Sequence, residues 1–201
     1  MSAAALGRER VVLASANPKK VAELREILGD RFDLVARPAE VPEVIEDAPT
    51  FVGNARLKAA ALVAATGLAA LADDSGIEVD ALDGRPGVRS ARFAGEDATD
   101  DDNVDLLLAE LADRPDPADR TARFRCVIVL QRPDGTEVVA DGTAEGRVAP
   151  ARRGDAGFGY DPVFVPDDGD GGTYAELDAA TKHAISHRGR ALAALVAHLG
   201  S

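Results

Sequence analysis

The stretch from Arg120 to Val148, RTARFRCVIVLQRPDGTEVVADGTAEGRV, decides the fold. Ala122, Phe124, Cys126, Ile128 and Leu130 take alternate positions, the period of an extended chain with one buried face. Pro133-Asp134-Gly135 then combines a fixed φ, a side chain able to bond its own backbone and a residue free to take positive φ, which together make a turn. Thr136 to Val148 returns as the partner strand, so the segment reads as a long antiparallel hairpin.

Upstream of the hairpin, strands and helices alternate. Arg10 to Ser15 (RVVLAS) reads as a buried strand. Asn17 caps a helix that has Pro18 in its first position. Val21, Leu24, Ile27 and Leu28 follow at helical spacing, and Gly29 stops the helix. Phe32 to Ala36 is a short strand, followed by a proline-rich acidic loop from Arg37 to Pro49. Thr50 opens a second helix, with Phe51, Leu57, Ala61 and Leu62 apolar, ended by Gly67. Leu68 to Ala72 reads as a strand broken by Asp73-Asp74-Ser75-Gly76 and resumed from Ile77 to Leu82. A glycine-punctuated loop (Arg85 to Glu96) leads to a helix capped by Thr99 and running to about Ala112. Downstream lie a glycine-rich loop, Gly157 to Pro162, and a closing helix, Ser186 to Leu199. Strand–helix units joined to an antiparallel hairpin imply an α/β fold with a mixed central sheet. The chain is expected to form one domain over residues 1–201, with residues 1–9 as a flexible N-terminus.

The bulk numbers narrow the function classes. At 201 residues the chain can bury a sizeable core. No apolar run is long enough to cross a membrane, and the N-terminus lacks the apolar stretch of a signal peptide. Cys126 is the single cysteine, so no intrachain disulfide is possible; a cytoplasmic protein is the simplest expectation. A net charge of -12 lacks the basic footprint that a nucleic-acid backbone requires. It does not exclude a small anion, since a few local cations can outweigh the average field.

Five segments carry candidate chemistry. Ser15-Ala16-Asn17-Pro18-Lys19-Lys20 lies at a strand-to-helix turn, where free N–H groups, short polar side chains and a lysine suit phosphate; it also reads as an ordinary N-cap. Asn54 and Lys58 are four apart and share a helix face, either to hold phosphate oxygens or as a solvated stripe. In Asp73-Asp74-Ser75-Gly76 the adjacent carboxylates point to opposite sides of extended chain, so one suffices to face a ligand. With Glu46 as a second carboxylate, that one could hold a hard cation such as Mg²⁺ and accept a proton from water. Phe158, Gly159, Tyr160 and Asp161 place two aromatics among glycines, suited to stacking on a base; Tyr160 also reads as a core anchor. His187 and Arg188, with Lys182 just before them, offer donors to a purine carbonyl at position 6, where adenine presents an amine instead; they also read as a basic surface pair behind a Ser186 cap. Asp100-Asp101-Asp102 suits a helix dipole, and Cys126, mid-strand, reads as buried structure.

The order of these motifs is more specific than any one of them. S-x-N-x-x-K, F-x-x-N-A-x-x-K-A, A-D-D-S-G, P-G-V-x-S-A-R-F-A-G, G-F-G-Y-D-P and K-x-x-x-S-H-R-G occur in succession from about Val11 to Leu199. This series closely resembles the inosine/xanthosine triphosphate pyrophosphatase family. The resemblance implies an elongated mixed sheet with flanking helices and two lobes around an active cleft, a homodimer, and a need for Mg²⁺. It implies hydrolysis of dITP, ITP or XTP to the monophosphate and pyrophosphate. Asp74 would be proton acceptor and, with Glu46, metal ligand. Ser15 through Lys20 would hold the triphosphate, with Asn54, Lys58 and Asp73 in support and Ser75 touching substrate. Phe158 to Asp161 would bind the base, with Phe158 stacking, and Lys182, His187 and Arg188 would complete the pocket. Ser15 stands where threonine is common, Gly53 where a bulkier polar residue is frequent, and Arg89 where an aromatic often lies. Two rival readings are a Maf-like pyrophosphatase of modified pyrimidine nucleotides and a nucleotide-binding regulator without turnover. An aspartyl-phosphate phosphatase on Asp73 lacks the D-x-D spacing.

Overall fold

The computed structural model describes residues 8–15 and 17–200. Six strands form one sheet in the order β2-β1-β3-β4-β5-β6. Strands β1 (Glu9–Leu13), β2 (Phe32–Val35) and β3 (Ala69–Val79) come from the strand–helix units. β1 pairs in parallel with both neighbours, Val11 lying opposite Leu34 and Ala69. The long hairpin supplies β4 (Thr121–Gln131) and β5 (Glu137–Val148), joined by a turn in which Arg132 N–H donates to Thr136 O. A short β6 (Phe164–Pro166) pairs antiparallel with β5. The sheet is therefore mixed, as the hairpin predicts.

The helices follow their sequence signals. α1 (Pro18–Leu28) begins at the proline. α2 (Phe51–Thr66) is capped by the Thr50 side chain, which accepts from Gly53 N–H, and ends at Gly67 in the left-handed region. In α3 (Asp100–Glu110) the Thr99 cap is completed by the Asp102 side chain, a reciprocal capping box. α5 (His187–Leu199) closes the chain. Two elements were not legible. α4 (Ala179–Ile185) has no buried residue, hence no apolar stripe, and β6 is three residues long, too short for a period. β1 includes Glu9, the last residue of the span expected to be flexible; residues 1–7 of that span lie outside the described residues.

One expectation is corrected. β3 runs unbroken through Asp73-Asp74-Ser75-Gly76, whereas the sequence reading breaks it there. The carboxylates can stay in a buried strand because both are bonded: Asp73 to Lys20 of α1, Asp74 to Asn54 and Lys58 of α2. A paired charge removes the reason to leave the interior.

The chain divides into two compact units: residues 1–74, 127–140 and 192–201, and residues 75–126 and 141–191. In the first, Val11, Val12, Leu13, Leu24, Leu28, Ala55, Ala59 and Leu62 are buried. In the second, the core gathers Ile77, Val79, Leu107, Phe124, Tyr160, Phe164 and Tyr174. Phe124 meets Phe164 edge-on at 4.8 Å, a favoured aromatic geometry.

Candidate active site

In the first unit, charge concentrates around the start of α1, one face of α2 and the middle of β3. Lys58 Nζ lies 3.1 Å from Asp74 Oδ1 and 3.3 Å from Glu46 Oε1. Asn54 is fully buried; its amide nitrogen donates to Asp74 Oδ2 at 3.1 Å and its amide oxygen accepts from Ala48 N–H at 3.0 Å. Asn54 thereby ties the acidic loop that carries Glu46 to the strand that carries Asp74. Lys20 Nζ lies 3.0 Å from Asp73 Oδ2.

Three carboxylates share the surroundings of one ammonium, and the proton affinities reflect it. Burial lowers the Lys58 ammonium, but the charges of Asp74, Asp73 and Glu46 outweigh it and the net direction is upward. Burial pushes the Asp74 carboxyl up, Lys58 pulls it down, Glu46 pushes it up again, and the net direction is also upward. Lys58 is thus firmly cationic, while Asp74 is a carboxylate with an enhanced appetite for a proton.

Lys20, Glu46, Lys58 and Asp73 border a cavity of about 260 Å³, lined also by Ser15, Asn17 and Arg37 among others. That is below the roughly 300–1,000 Å³ of a pocket for a whole small-molecule ligand, and fits a fragment of one. Ser15 Oγ accepts from Asn17 N–H at 3.2 Å, fixing the turn into α1.

A second cluster, wholly within the other unit, gathers around Phe158. Lys182 Nζ lies 5.1 Å from the Phe158 ring centroid and the Arg188 guanidinium carbon 5.8 Å from it. Buried Asp161 organises the loop, its Oδ2 accepting from Phe158 N–H at 2.8 Å and from Lys182 Nζ at 2.6 Å. A Cβ on Gly157 would stand 2.1 Å from that oxygen, with φ at +82°, so only glycine fits. Gly159 N–H donates to Asp100 Oδ2 at 2.7 Å. Arg188 donates to Ser75 Oγ at 3.1 Å, and Ser75 directly follows Asp74 along β3.

Sequence comparison decides the relationship. The Ham1 family profile matches residues 11–198. The chain belongs to the Ham1 family. It is 50% identical over 192 residues to a Streptomyces coelicolor protein named dITP/XTP pyrophosphatase, covering 93% of this chain and 95% of that one. A Geobacter sulfurreducens protein of the same name is 48% identical, with 95% and 96% covered. Among solved structures, a HAM1 protein from Coxiella burnetii matches with a TM-score of 0.87 at 43% identity, covering 96% of this chain and 98% of its own. A nucleoside-triphosphatase / dITP/XTP pyrophosphatase from Mycobacterium abscessus matches at 0.78 and 47%, covering 94% and 99%.

Against the Ham1 fold, the residues expected to form the site sort into distinct places. Ser15, Asn17, Lys20, Glu46 and Lys58 line the first cavity. Pro18 is exposed at the start of α1 and not among the lining residues, while Ala16 and the Lys19 side chain lie outside the described residues. Of the acidic pair it is Asp73 that is among the lining residues, while Asp74 is bonded to the lining Lys58. Asn54, expected to support phosphate, accepts from Ala48 N–H and donates to Asp74. Tyr160, expected on the base, is buried with its hydroxyl donating to Ser90 O at 2.8 Å, which is the core-anchor reading. The His187 ring is buried and stacked on Phe124 at 4.5 Å and 8°. Phe158, Gly159, Asp161, Lys182 and Arg188 do come together. Sequence reasoning missed Asp100, assigned only to the helix dipole, and Arg37, assigned to a loop.

The donor set suits a hard divalent cation. Among the described residues no three or more His, Cys, Asp or Glu side chains converge as a metal cage. Glu46 and Asp74, however, face the same ammonium and repel each other. Two oxygen ligands plus substrate phosphates and water are the usual complement of Mg²⁺.

Proposed function

We propose that this Ham1 protein hydrolyses non-standard purine nucleoside triphosphates, dITP, ITP and XTP, to the monophosphate and pyrophosphate, with Mg²⁺ held by Glu46 and Asp74. The observation that carries the reading is Asp74 itself: a buried carboxylate oriented by Asn54 and Lys58, with its proton affinity raised by burial and by Glu46. A general base works best when its pKa is lifted toward the working pH.

Water attacks the α-phosphorus, the new P–O bond forms as the bond to the bridging oxygen breaks, and pyrophosphate departs. Asp74 receives the proton that the water loses. Lys20 and Lys58 face the phosphate chain from α1 and α2 and offset the charge that builds on the leaving oxygen. The bound cation would supply charge neutralisation and a more acidic water. The Phe158 ring offers a face for the base, and Arg188 and Lys182 offer donors that match an oxygen at purine position 6. The names of the relatives, dITP/XTP pyrophosphatase, support the same substrate class. A homodimer and a cytoplasmic setting belong to the same proposal; no described helix is long and apolar enough to cross a membrane.

Asp74→Asn preserves shape and removes the base. It should lower kcat for dITP by roughly 10²–10⁴-fold, the range of a lost general base, with dITP still bound. Turnover near the wild-type rate would show that Asp74 is not the proton acceptor.

A further inference from the structure

Three cations line the cavity of the first unit, Lys20, Lys58 and Arg37, and they differ in how their charge is used. Lys20 is engaged by buried Asp73, and Lys58 by Glu46 and Asp74. Arg37 forms no ion pair among the described residues, and its one side-chain hydrogen bond runs from Nη2 to Val41 O at 3.0 Å. A guanidinium carries five N–H donors in a planar fork, so a single carbonyl leaves most of that capacity available. Glu43, on the same rim, is exposed and makes no ion pair with Arg37. Val41 N–H donates in turn to Pro38 O at 3.2 Å, so Arg37 clasps the tight turn that opens the acidic loop toward Glu46.

We propose that Arg37 binds the terminal phosphate of the nucleoside triphosphate, and of the pyrophosphate released from it, by a charge-assisted fork. This rests on the pyrophosphatase reading above and adds a substrate-binding residue to it. A triphosphate brings more negative charge than Lys20 and Lys58 can offset while they remain bonded to carboxylates. Among the described residues Arg37 is the cavity's remaining cation, and bidentate geometry suits a terminal phosphate. Because Arg37 also holds Val41, phosphate binding fixes the loop that brings Glu46 to Lys58. The terminal phosphate is bound alike in ground and transition states, so the loss should appear in KM rather than kcat.

The test compares wild type, Arg37→Ala and Arg37→Lys as full chains. Calorimetric titration of inorganic pyrophosphate in MgCl2 should give a Kd about tenfold or more weaker for Arg37→Ala, with Arg37→Lys intermediate, while dIMP binds all three equally. The KM for dITP should rise by a similar factor at nearly unchanged kcat. Equal pyrophosphate affinity in wild type and Arg37→Ala, or no pyrophosphate binding by wild type, overturns the role of Arg37. A wild-type protein that binds pyrophosphate through Arg37 yet turns over no dITP supports the anion site and refutes the pyrophosphatase reading.

Discussion

Replacing Lys58 by Met removes the ammonium bonded to both Glu46 and Asp74. The oxygens stand 3.1 and 3.3 Å from Nζ, and the lysine side chain is 18% exposed. At an effective dielectric of about 20, each contact amounts to roughly 5 kcal/mol of attraction. Much of that sum offsets the cost of taking the ions out of water, so the net loss expected is that of breaking a buried pair, about 3–5 kcal/mol. For a chain of this size, that corresponds to a fall in Tm of roughly 6–20 °C. The sign of the pH dependence follows from Asp74. Its carboxyl is already held above the ordinary value by burial and Glu46, and loss of Lys58 pushes it higher. In the variant, Asp74 therefore costs stability at neutral pH, and the cost disappears as pH falls and the group takes up a proton. Thermal unfolding followed by circular dichroism at pH 7.5 and pH 4.5 reads both effects: a large gap between the proteins at the higher pH and a smaller one at the lower. Added MgCl2 should recover part of the loss at pH 7.5, since a divalent cation answers the same excess of negative charge. A variant within about 2 °C of wild type at pH 7.5, or a gap that widens on acidification, would refute the reasoning.

Other perturbations probe separate links. Phe158→Ala removes the ring beneath Lys182 and Arg188; base stacking of roughly 1–3 kcal/mol predicts a KM for dITP raised about 5- to 150-fold, read from steady-state pyrophosphate release. Tyr160→Phe deletes the bond to Ser90 O and should cost about 0.5–1.5 kcal/mol, measured by urea unfolding, with KM little changed if the hydroxyl only anchors the loop. Gly189→Ala places a methyl 1.9 Å from His183 O, a backbone atom that cannot swing away; a loss of about 1–3 kcal/mol and a lower kcat/KM should follow.

What the sequence disclosed, and what it withheld, follows from the range of the interactions. The hairpin of β4 and β5 was legible because alternation and a Pro-Asp-Gly turn are local. Helices α1, α2 and α3 were legible because Pro18, Thr50 and Thr99 announce them within one turn. The continuity of β3 was hidden, since it depends on Lys20 reaching Asp73 across 53 positions. Tyr160 reads equally as base contact or anchor until Ser90, 70 residues away, is seen to accept its hydroxyl. Asp100 looks like a dipole partner until Gly159, 59 positions on, donates to it. Motifs singled out Lys58 and Asp74 and spacing singled out Glu46, and the structure brings the three side chains together, but the burial of Asn54 and His187 is a property of packing that no local pattern carries. Arg37 escaped notice because a lone arginine in a proline-rich loop has no period and no motif.

The central claim is metal-dependent release of pyrophosphate from non-standard purine triphosphates. The measurement that meets it most directly is pyrophosphate release from dITP, XTP, dATP, dGTP and dTTP, side by side, in MgCl2 and in EDTA. The account predicts strong turnover of dITP and XTP in MgCl2, little of the other three, and none in EDTA. Preferred turnover of dTTP would point to a pyrimidine-directed enzyme. Binding of dITP without release, or full activity in EDTA, would contradict the account.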